Sequence, residues 1–321
     1  MKETETTLAK TISVAGVNAA YDNACKRILS DKNILAWIMK SCLPEYKTCS
    51  VDEIAANYIE GEPQISDIAV HQDEQKNSSR IQGMNTEDAS INEGTVTYDI
   101  RFYALAPVSG ERIRLIINVE AQNDFYPGYP VVKRNIYYCS RLISSQHGTE
   151  FEGSHYEQIK KVYSIFICME PPKYRRNTIN CYSIQEENVI GNAKEKKENY
   201  DLMTAVMLCL GVKDDEEVSG ILRLLEVLLS SERNAEEKKK ILQEEYGIEM
   251  TKKLDKEVSE MCNLSKGVEA RGMQKGIQKG IQKGILSSIQ TLMVTMSWTV
   301  EQAMDALKIP KEDRIKYLEK L

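Results

Sequence analysis

The sequence predicts an α/β fold: a mixed central sheet flanked by helices, followed by an all-helical C-terminal region. Strand-like and helical patterns alternate in the order helix, strand, strand, strand, helix, strand, which is typical of a sheet with helices packed against it. Residues 162–169, VYSIFICM, form a continuous apolar run of the kind buried on both faces of a sheet. Near residue 193 charged and amphipathic patterns replace the strand-like runs, which predicts the helical region.

Composition restricts the class of protein. The chain has 321 residues, of which 42% are hydrophobic, enough for one sizeable core and a second, smaller unit. Its net charge of -6 offers no general attraction to polyanions, so any nucleic-acid contact must use local basic patches. Eight scattered cysteines without a C-x-x-C pair argue against structural zinc and favour reduced thiols. No apolar run approaches the roughly 20 residues of a membrane span, and we expect a cytoplasmic protein.

The pattern divides the chain into four parts. Residues 1–19 have little periodicity and are expected to be frayed or disordered, residues 20–190 carry the sheet, residues 191–262 are helical, and residues 263–321 contain a repeat helix and a short helical tail. In the second part, apolar residues recur at helical spacing between Ile28 and Cys42. A short helix is predicted after Ser50, which has capping-box spacing to Glu53. Residues 59–70 favour an edge strand or an extended loop, and the polar run from His71 is expected to be mobile or to become ordered only on contact with another surface.

Residues 94–124 form the stretch around which the rest is organised. A β-branched and aromatic run, 96–106, is joined through Ser109-Gly110 to an apolar run, 112–119, that ends in Glu120-Ala121-Gln122. Alternate side chains of a strand share one face, so Glu120 and Gln122 point the same way, and a hairpin brings Asp99 beside them. The sequence therefore predicts a candidate metal site at this hairpin.

Basic residues follow the hairpin. A helix is predicted over residues 131–145, with Lys133, Arg134 and Arg141 interleaved with tyrosines, either as a surface that tracks phosphates or as an ordinary amphipathic helix. An extended piece is predicted over 178–184. The most basic local patch brackets the buried strand and consists of Lys160, Lys161, Lys173, Arg175 and Arg176.

The C-terminal part is predicted to contain amphipathic helices over residues 202–210, 218–229 and 235–246. Residues 272–285 repeat every four residues as GMQK, GIQK, GIQK and GI, which gives one helix face an apolar stripe flanked by glycines. This segment is either a homo-oligomerisation helix or, alternatively, a weak helix or a flexible basic linker. In the tail, Thr299 and Gln302 have capping-box spacing, but its acids offset its bases and disfavour DNA recognition there.

Three stretches together resemble a known family: TVTYDIRFYALAP, INVEAQNDFYPGYPVVKRNIYYCSRLIS and the KGIQKGI-type tail. They are similar to the PD-(D/E)XK nuclease family transposases, the recombination-promoting nuclease or putative transposase group. The resemblance implies a restriction-endonuclease-like core, DNA as the partner and Mg²⁺-dependent cleavage of phosphodiester bonds. It further implies that Asp99 and Glu120 ligate Mg²⁺, together with the backbone carbonyl of Ala121, and that Gln122 occupies the third motif position.

Gln122 departs from the wider superfamily pattern, which has lysine at this position. An amide carries no positive charge and does not lose a proton near neutral pH. Gln122 is therefore expected to position a water molecule, with Lys133 or Arg134 of the next helix supplying charge. The alternative is a catalytically weak DNA-binding or oligomerising module that keeps the nuclease fold.

Overall fold

The computed structural model describes residues 19–66, 87–90, 94–107, 112–122, 125–213, 218–310, 314 and 317–318. The expectation of disorder for the N-terminus therefore lies outside the described residues, as does most of the polar run from His71. The chain divides into two compact units, Met1–Leu264 and Ser265–Leu321. The sheet and the candidate site belong to the first unit.

The first unit contains a six-stranded mixed sheet, which confirms the predicted class of fold. The strands of the chain are β1 Ile59–Ile65, β2 Glu87–Ser90, β3 Gly94–Thr97, β4 Ile100–Pro107, β5 Arg112–Gln122, β6 Val162–Cys168, β7 Thr178–Ser183 and β8 Met203–Cys209. Their order in the large sheet is β1-β4-β5-β6-β8-β7, and β2 pairs with β3 in a separate two-stranded sheet. Strand β6 runs parallel to β5 and β8, whereas the β1/β4, β4/β5 and β7/β8 pairs are antiparallel.

Helices cover both faces of the sheet. The helices are α1 19–29, α2 Lys32–Cys42, α3 Val51–Glu53, α4 Val131–Ser144, α5 Gly220–Leu229, α6 Ala235–Tyr246, α7 Lys252–Met296 and α8 Val300–Ala306. Helix α4 packs on one face of the sheet, and α1, α2, α5, α6 and the start of α7 pack on the other. The predicted helices at 131–145, 218–229 and 235–246 are confirmed, and the Ser50 hydroxyl caps α3 by accepting from the Glu53 amide at 3.1 Å.

The burial of β6 results from the two apolar layers that cover the faces of the sheet. All seven residues of β6 are buried, as its continuous apolar sequence predicted. Val162 and Phe166 pack in the layer that contains α4, while Ile165 and Ile167 pack in the layer of the opposite helices. Because alternate side chains point to opposite faces, a strand covered by helices on both sides has no polar face.

The first half of the predicted hairpin differs from the expectation. Residues 96–106 were predicted as one strand, but β3 ends at Thr97, β4 begins at Ile100, and Asp99 lies in a bend between them. The Asp99 amide donates to the Glu120 carboxylate at 3.0 Å, and the Asp99 carbonyl accepts from the Ser66 amide at 3.0 Å. At the bend, the Asp99 backbone therefore bonds to the Glu120 side chain and to Ser66.

The prediction of a helix over residues 202–210 is wrong. Strand β8 occupies this run and lies between β6 and β7 in the sheet, and six of its seven residues are buried. A short apolar run has the same periodicity in a buried strand and a buried helix, so its partners decide its structure. The sheet therefore extends beyond residue 190, and helices α5 and α6 follow it within the same compact unit.

The second unit is helical as predicted. Helix α7 runs through the 272–285 repeat, although the side chains of residues 266–279 lie outside the described part, so the self-association of the repeat stays a prediction. Ile289 of α7 and Ala303, Met304 and Ile309 form a small buried cluster. Across the helices that the structure describes, none has the length and apolar content needed to cross a membrane.

Replacing Thr299 by alanine is expected to destabilise α8 by about 1 kcal/mol, the usual effect of losing an N-cap. The Thr299 hydroxyl accepts from the Gln302 amide at 3.2 Å, and the Gln302 side chain accepts from the Thr299 amide at 2.9 Å. Hydrogen exchange of the α8 amides measures the effect. Thr291→Ala is the matched control, because the Thr291 hydroxyl bonds only within α7. Equal exchange in the two variants would contradict the role of the cap.

Candidate metal centre

Asp99 and Glu120 lie side by side where β4 begins and β5 ends. The register pairs Ile100 with Val119, so Asp99 stands opposite Glu120 one step further along. The Asp99 amide donates to Glu120 Oε1 at 3.0 Å, and the Ala121 amide donates to Asp99 Oδ2 at 3.0 Å. Each carboxylate therefore accepts a hydrogen bond from the backbone of the facing segment, and both residues are only 3% exposed. The structure brings these two predicted residues together.

The backbone of β5 places Ala121 at the same edge. The Gln122 carbonyl accepts from the Met169 amide at 3.0 Å, toward β6, whereas the Ala121 amide points toward Asp99. Because the N–H and C=O of one residue in a strand face the same edge, the Ala121 carbonyl lies on the Asp99 side. Two carboxylates and one carbonyl thus share this end of the sheet.

Lys26 of α1, which was not among the predicted site residues, contacts this site directly. Its side chain is fully buried, and its Nζ lies 2.9 Å from Asp99 Oδ1 and 2.9 Å from Asp22 Oδ2. Burial alone would lower the pKa of Lys26, but the charges of Asp99 and Asp22 outweigh it and raise the pKa above its ordinary value. The available signal was an acid and a lysine four residues apart in a helix whose neighbouring residues, Cys25 and Ile28, are apolar.

The two carboxylates concentrate negative charge in a buried place. Burial, and then the negative charge of Asp99, raise the pKa of Glu120 well above its ordinary value, against the opposing effects of the Asp99 amide and Arg134. The pKa of Asp22 is also raised, by burial and by Asp99, although Lys26 opposes this shift. The site therefore favours an added positive charge, which either a proton or a metal ion can supply.

Arg134 reaches the site from α4, which packs on the face of the sheet opposite α1. Its guanidinium donates to Gln122 Oε1 and, at 3.0 Å, to the hydroxyl of Tyr129. It also lies over the ring of Phe166, 5.1 Å from the centroid. Of the two helix residues considered as a source of charge, Arg134 reaches Gln122, whereas Lys133 is exposed. Gln122 itself is 8% exposed, so its amide is held in place.

The other predicted DNA-contacting residues fall into two groups, and the first consists of Arg141, Lys160 and Lys161. Arg141 is 2% exposed and donates to the Tyr137 hydroxyl at 3.1 Å, so it does not present its charge at the surface. Lys160 forms an ion pair with Glu150, and Lys161 pairs with Asp201 at 2.7 Å. These three residues of the predicted interface are engaged within the protein.

The second group of basic residues, which follows β6, lies at the opposite end of that strand from Lys160 and Lys161. Lys160 and Lys161 precede β6, whose first residue pairs with Ile116 of β5, whereas Gln122 pairs with the last residue of β6. At about 3.3 Å per residue, the first residue of β6 is about 20 Å along the sheet from Gln122, and Lys160 and Lys161 lie beyond it. The residues that follow β6, Lys173, Arg175 and Arg176, lie on the side of the carboxylates. The structure thus separates the predicted basic patch into two parts.

The donor set fits Mg²⁺ in chemistry. Asp99, Glu120 and the Ala121 carbonyl offer oxygen atoms only, and Mg²⁺ is commonly held by one or two carboxylates with several waters. In the part of the chain that the structure describes, no group of three or more His, Cys, Asp or Glu side chains is arranged to hold a metal. A bound ion would therefore depend on these two acids, and Lys26 would share Asp99 with it.

No protein-family model matches the chain, and searches of curated proteins and of solved structures likewise found no match. The site is characterised by its paired carboxylates, the buried Lys26 and the Gln122–Arg134 contact.

Proposed function

We propose that this protein is a Mg²⁺-dependent DNA endonuclease of the recombination-promoting or transposase-like type, with a restriction-endonuclease-like core. The observation that carries the proposal is the pair of buried carboxylates, Asp99 and Glu120, each hydrogen-bonded to the backbone of the other strand. Paired carboxylates at the end of a sheet are suited to hold a hard divalent cation. The raised pKa of Glu120 further supports a site that takes up positive charge.

The residues of the chain have separate roles in this proposal. Asp99, Glu120 and the Ala121 carbonyl hold Mg²⁺, which when bound lowers the pKa of a water molecule and offsets charge on the phosphate. Lys26 keeps Asp99 in place through its ion pair. Gln122, oriented by Arg134, positions substrate or water, because an amide donates and accepts hydrogen bonds but does not take up a proton.

Basic residues near the carboxylates suit a DNA backbone. Lys133 in the first turn of α4 is exposed, as are Lys173 and Arg176 after β6. Phosphate contacts by such side chains position a protein on DNA without reading its sequence. Because the whole chain carries a net charge of -6, binding would rely on this local group. Salt should therefore weaken binding in proportion to the few phosphates contacted.

Plasmid cleavage tests the proposal. We expect the wild type to relax supercoiled plasmid with Mg²⁺ and the Asp99→Asn and Glu120→Gln variants to lose this activity. Each substitution removes one negatively charged metal ligand and replaces it with an amide of nearly the same shape. Glu62→Gln is the matched control, since the Glu62 side chain is 82% exposed on β1. Equal cleavage by all four proteins would overturn the assignment of the site.

A second candidate is a DNA-binding module with little or no catalytic activity. The Lys26 ammonium already neutralises one oxygen of Asp99, and Gln122 supplies no charge, which favours this alternative. It predicts that the wild type retains DNA without cutting it in any divalent metal. Neutralising Lys173, Arg175 and Arg176 together would then strongly reduce retention, with no cleavage to measure in either protein.

A further inference from the structure

An aromatic cavity of about 450 Å³ lies at the same end of the sheet as Gln122, because its lining residue Cys209 is in register with Cys168, which pairs with Gln122. It is formed by residues 125–132, the turn Lys173–Arg175 and the sheet residues that face them on β7 and β8. Its volume is within the range of small-molecule pockets, roughly 300–1,000 Å³. The lining side chains on which the inference depends are Tyr126, Tyr129, Tyr174, Tyr182, Arg175 and Asn180.

One guanidinium links the cavity wall to Gln122 of the candidate site. Arg134 donates to the Tyr129 hydroxyl, in the cavity wall, and to the Gln122 amide oxygen, two residues after Glu120. A group bound in the cavity would therefore lie close to a phosphate held at the carboxylates. The cavity is thus part of the same end of the sheet as the proposed reaction.

The lining has the chemistry of a site for a flat, polar ring. Tyr126 and Tyr174 are 64% and 73% exposed, and their hydroxyls lie 3.2 Å apart, so two large rings are held together at the surface. Arg175 lies over the Tyr174 ring at 5.8 Å and is within 3.5 Å of the Asn180 amide oxygen. Aromatic faces stack on bases, while guanidinium and amide groups bond to base edges or phosphates.

We propose that this cavity binds one unpaired nucleobase of the DNA substrate, beside the phosphate that is cut. A base inside a duplex has both faces covered by its neighbours, so it reaches tyrosine rings in a cavity only after leaving the stack. Exposed Lys173 and Arg176, which flank the Tyr174–Arg175 pair, supply positive charge for the adjoining phosphates. The inference rests on the proposed function for its choice of DNA as the polymer.

Binding without metal tests the cavity independently of cleavage. The full chain in EDTA is titrated against three fluorescent probes of equal length: an oligothymidylate, an oligomer of abasic sites, and a duplex. We expect the oligothymidylate to bind about tenfold or more tightly than the abasic oligomer, which carries the same phosphates. Tyr126→Ala and Tyr174→Ala are each expected to weaken oligothymidylate binding by about five- to hundredfold, the usual effect of losing one stacking partner.

Tyr156→Ala is the matched control, since Tyr156 is 64% exposed, like Tyr126, and does not line the cavity. Equal binding of the oligothymidylate and the abasic oligomer would overturn the inference, as would equal losses in Tyr156→Ala and the cavity variants. No binding of any probe would also overturn it. If binding depends on the base and the cavity variants lose it, base binding in the cavity is supported even when the plasmid is not cut. If those variants bind the oligothymidylate as the wild type does while the plasmid is cleaved, base binding in the cavity is ruled out and the endonuclease proposal stands.

Discussion

Replacing Lys26 by methionine is expected to destabilise the folded protein by about 3–5 kcal/mol, the effect of removing one partner from a buried ion pair. The Lys26 side chain is fully buried, and its ammonium lies 2.9 Å from oxygens of both Asp99 and Asp22. Methionine has a similar length but carries no charge. The variant therefore leaves two acids facing an apolar group, and the free energy of unfolding in urea measures the loss.

A double variant separates this charge effect from a packing effect. Lys26→Met combined with Asp99→Asn removes both charges of the Lys26–Asp99 pair and leaves Asp22, so we expect a smaller loss than the sum of the single losses, by about 0.5–3 kcal/mol. Lys32→Met is the matched control, because Lys32 pairs with the exposed Glu62, and such surface pairs contribute about 0–1 kcal/mol. A Lys26→Met variant as stable as Lys32→Met would show that the buried pair contributes nothing.

The same ion pair explains why α1 belongs to the site. Asp99 is held by the Ala121 amide of β5 and by Lys26 of α1, which packs on the face of the sheet opposite α4. Gln122 is held from the other face by Arg134 of α4. Both faces of the sheet thus contribute one cation to the ends of β4 and β5. Changes in either helix are expected to alter the position of the acids.

How much the sequence predicts depends on how local the determining contacts are. The approach of Asp99 to Glu120 was predictable, because turn residues and alternation within one hairpin set which side chains face each other. Lys26 was not, because the packing of α1 against the sheet brings it to Asp99 from far earlier in the chain. The burial of Arg141 was also missed: its hydrogen bond to Tyr137 lies within α4, but its burial depends on the packing of that helix against the rest of the unit. Strand β8 was missed because its partners, rather than its own periodicity, decide its structure.

Mg²⁺ is expected to stabilise the wild type by about 2.7 kcal/mol when present at a hundred times its dissociation constant. Both Asp99→Asn and Glu120→Gln should abolish this stabilisation, since each removes one of the two charged ligands. Unfolding in Mg²⁺ and in EDTA measures it without any reference to catalysis. Glu62→Gln should respond to Mg²⁺ as the wild type does. Stabilisation that persists in both carboxylate variants would place the ion elsewhere in the chain.

The pH dependence of stability gives a second measure of the same site. Burial and Asp99 raise the pKa of Glu120 in the folded state, whereas the unfolded chain has a pKa of about 4.3. Between these values the folded state binds more protons, so the stability due to Glu120 is fully present below about pH 4.3 and is lost as the pH rises through the folded pKa. Glu120→Gln should reduce this decline in metal-free protein, and the part due to Asp22, whose pKa is also raised, should persist. In the wild type, Mg²⁺ should stabilise more strongly at high pH than at low pH, because a proton and the metal compete for the Glu120 carboxylate.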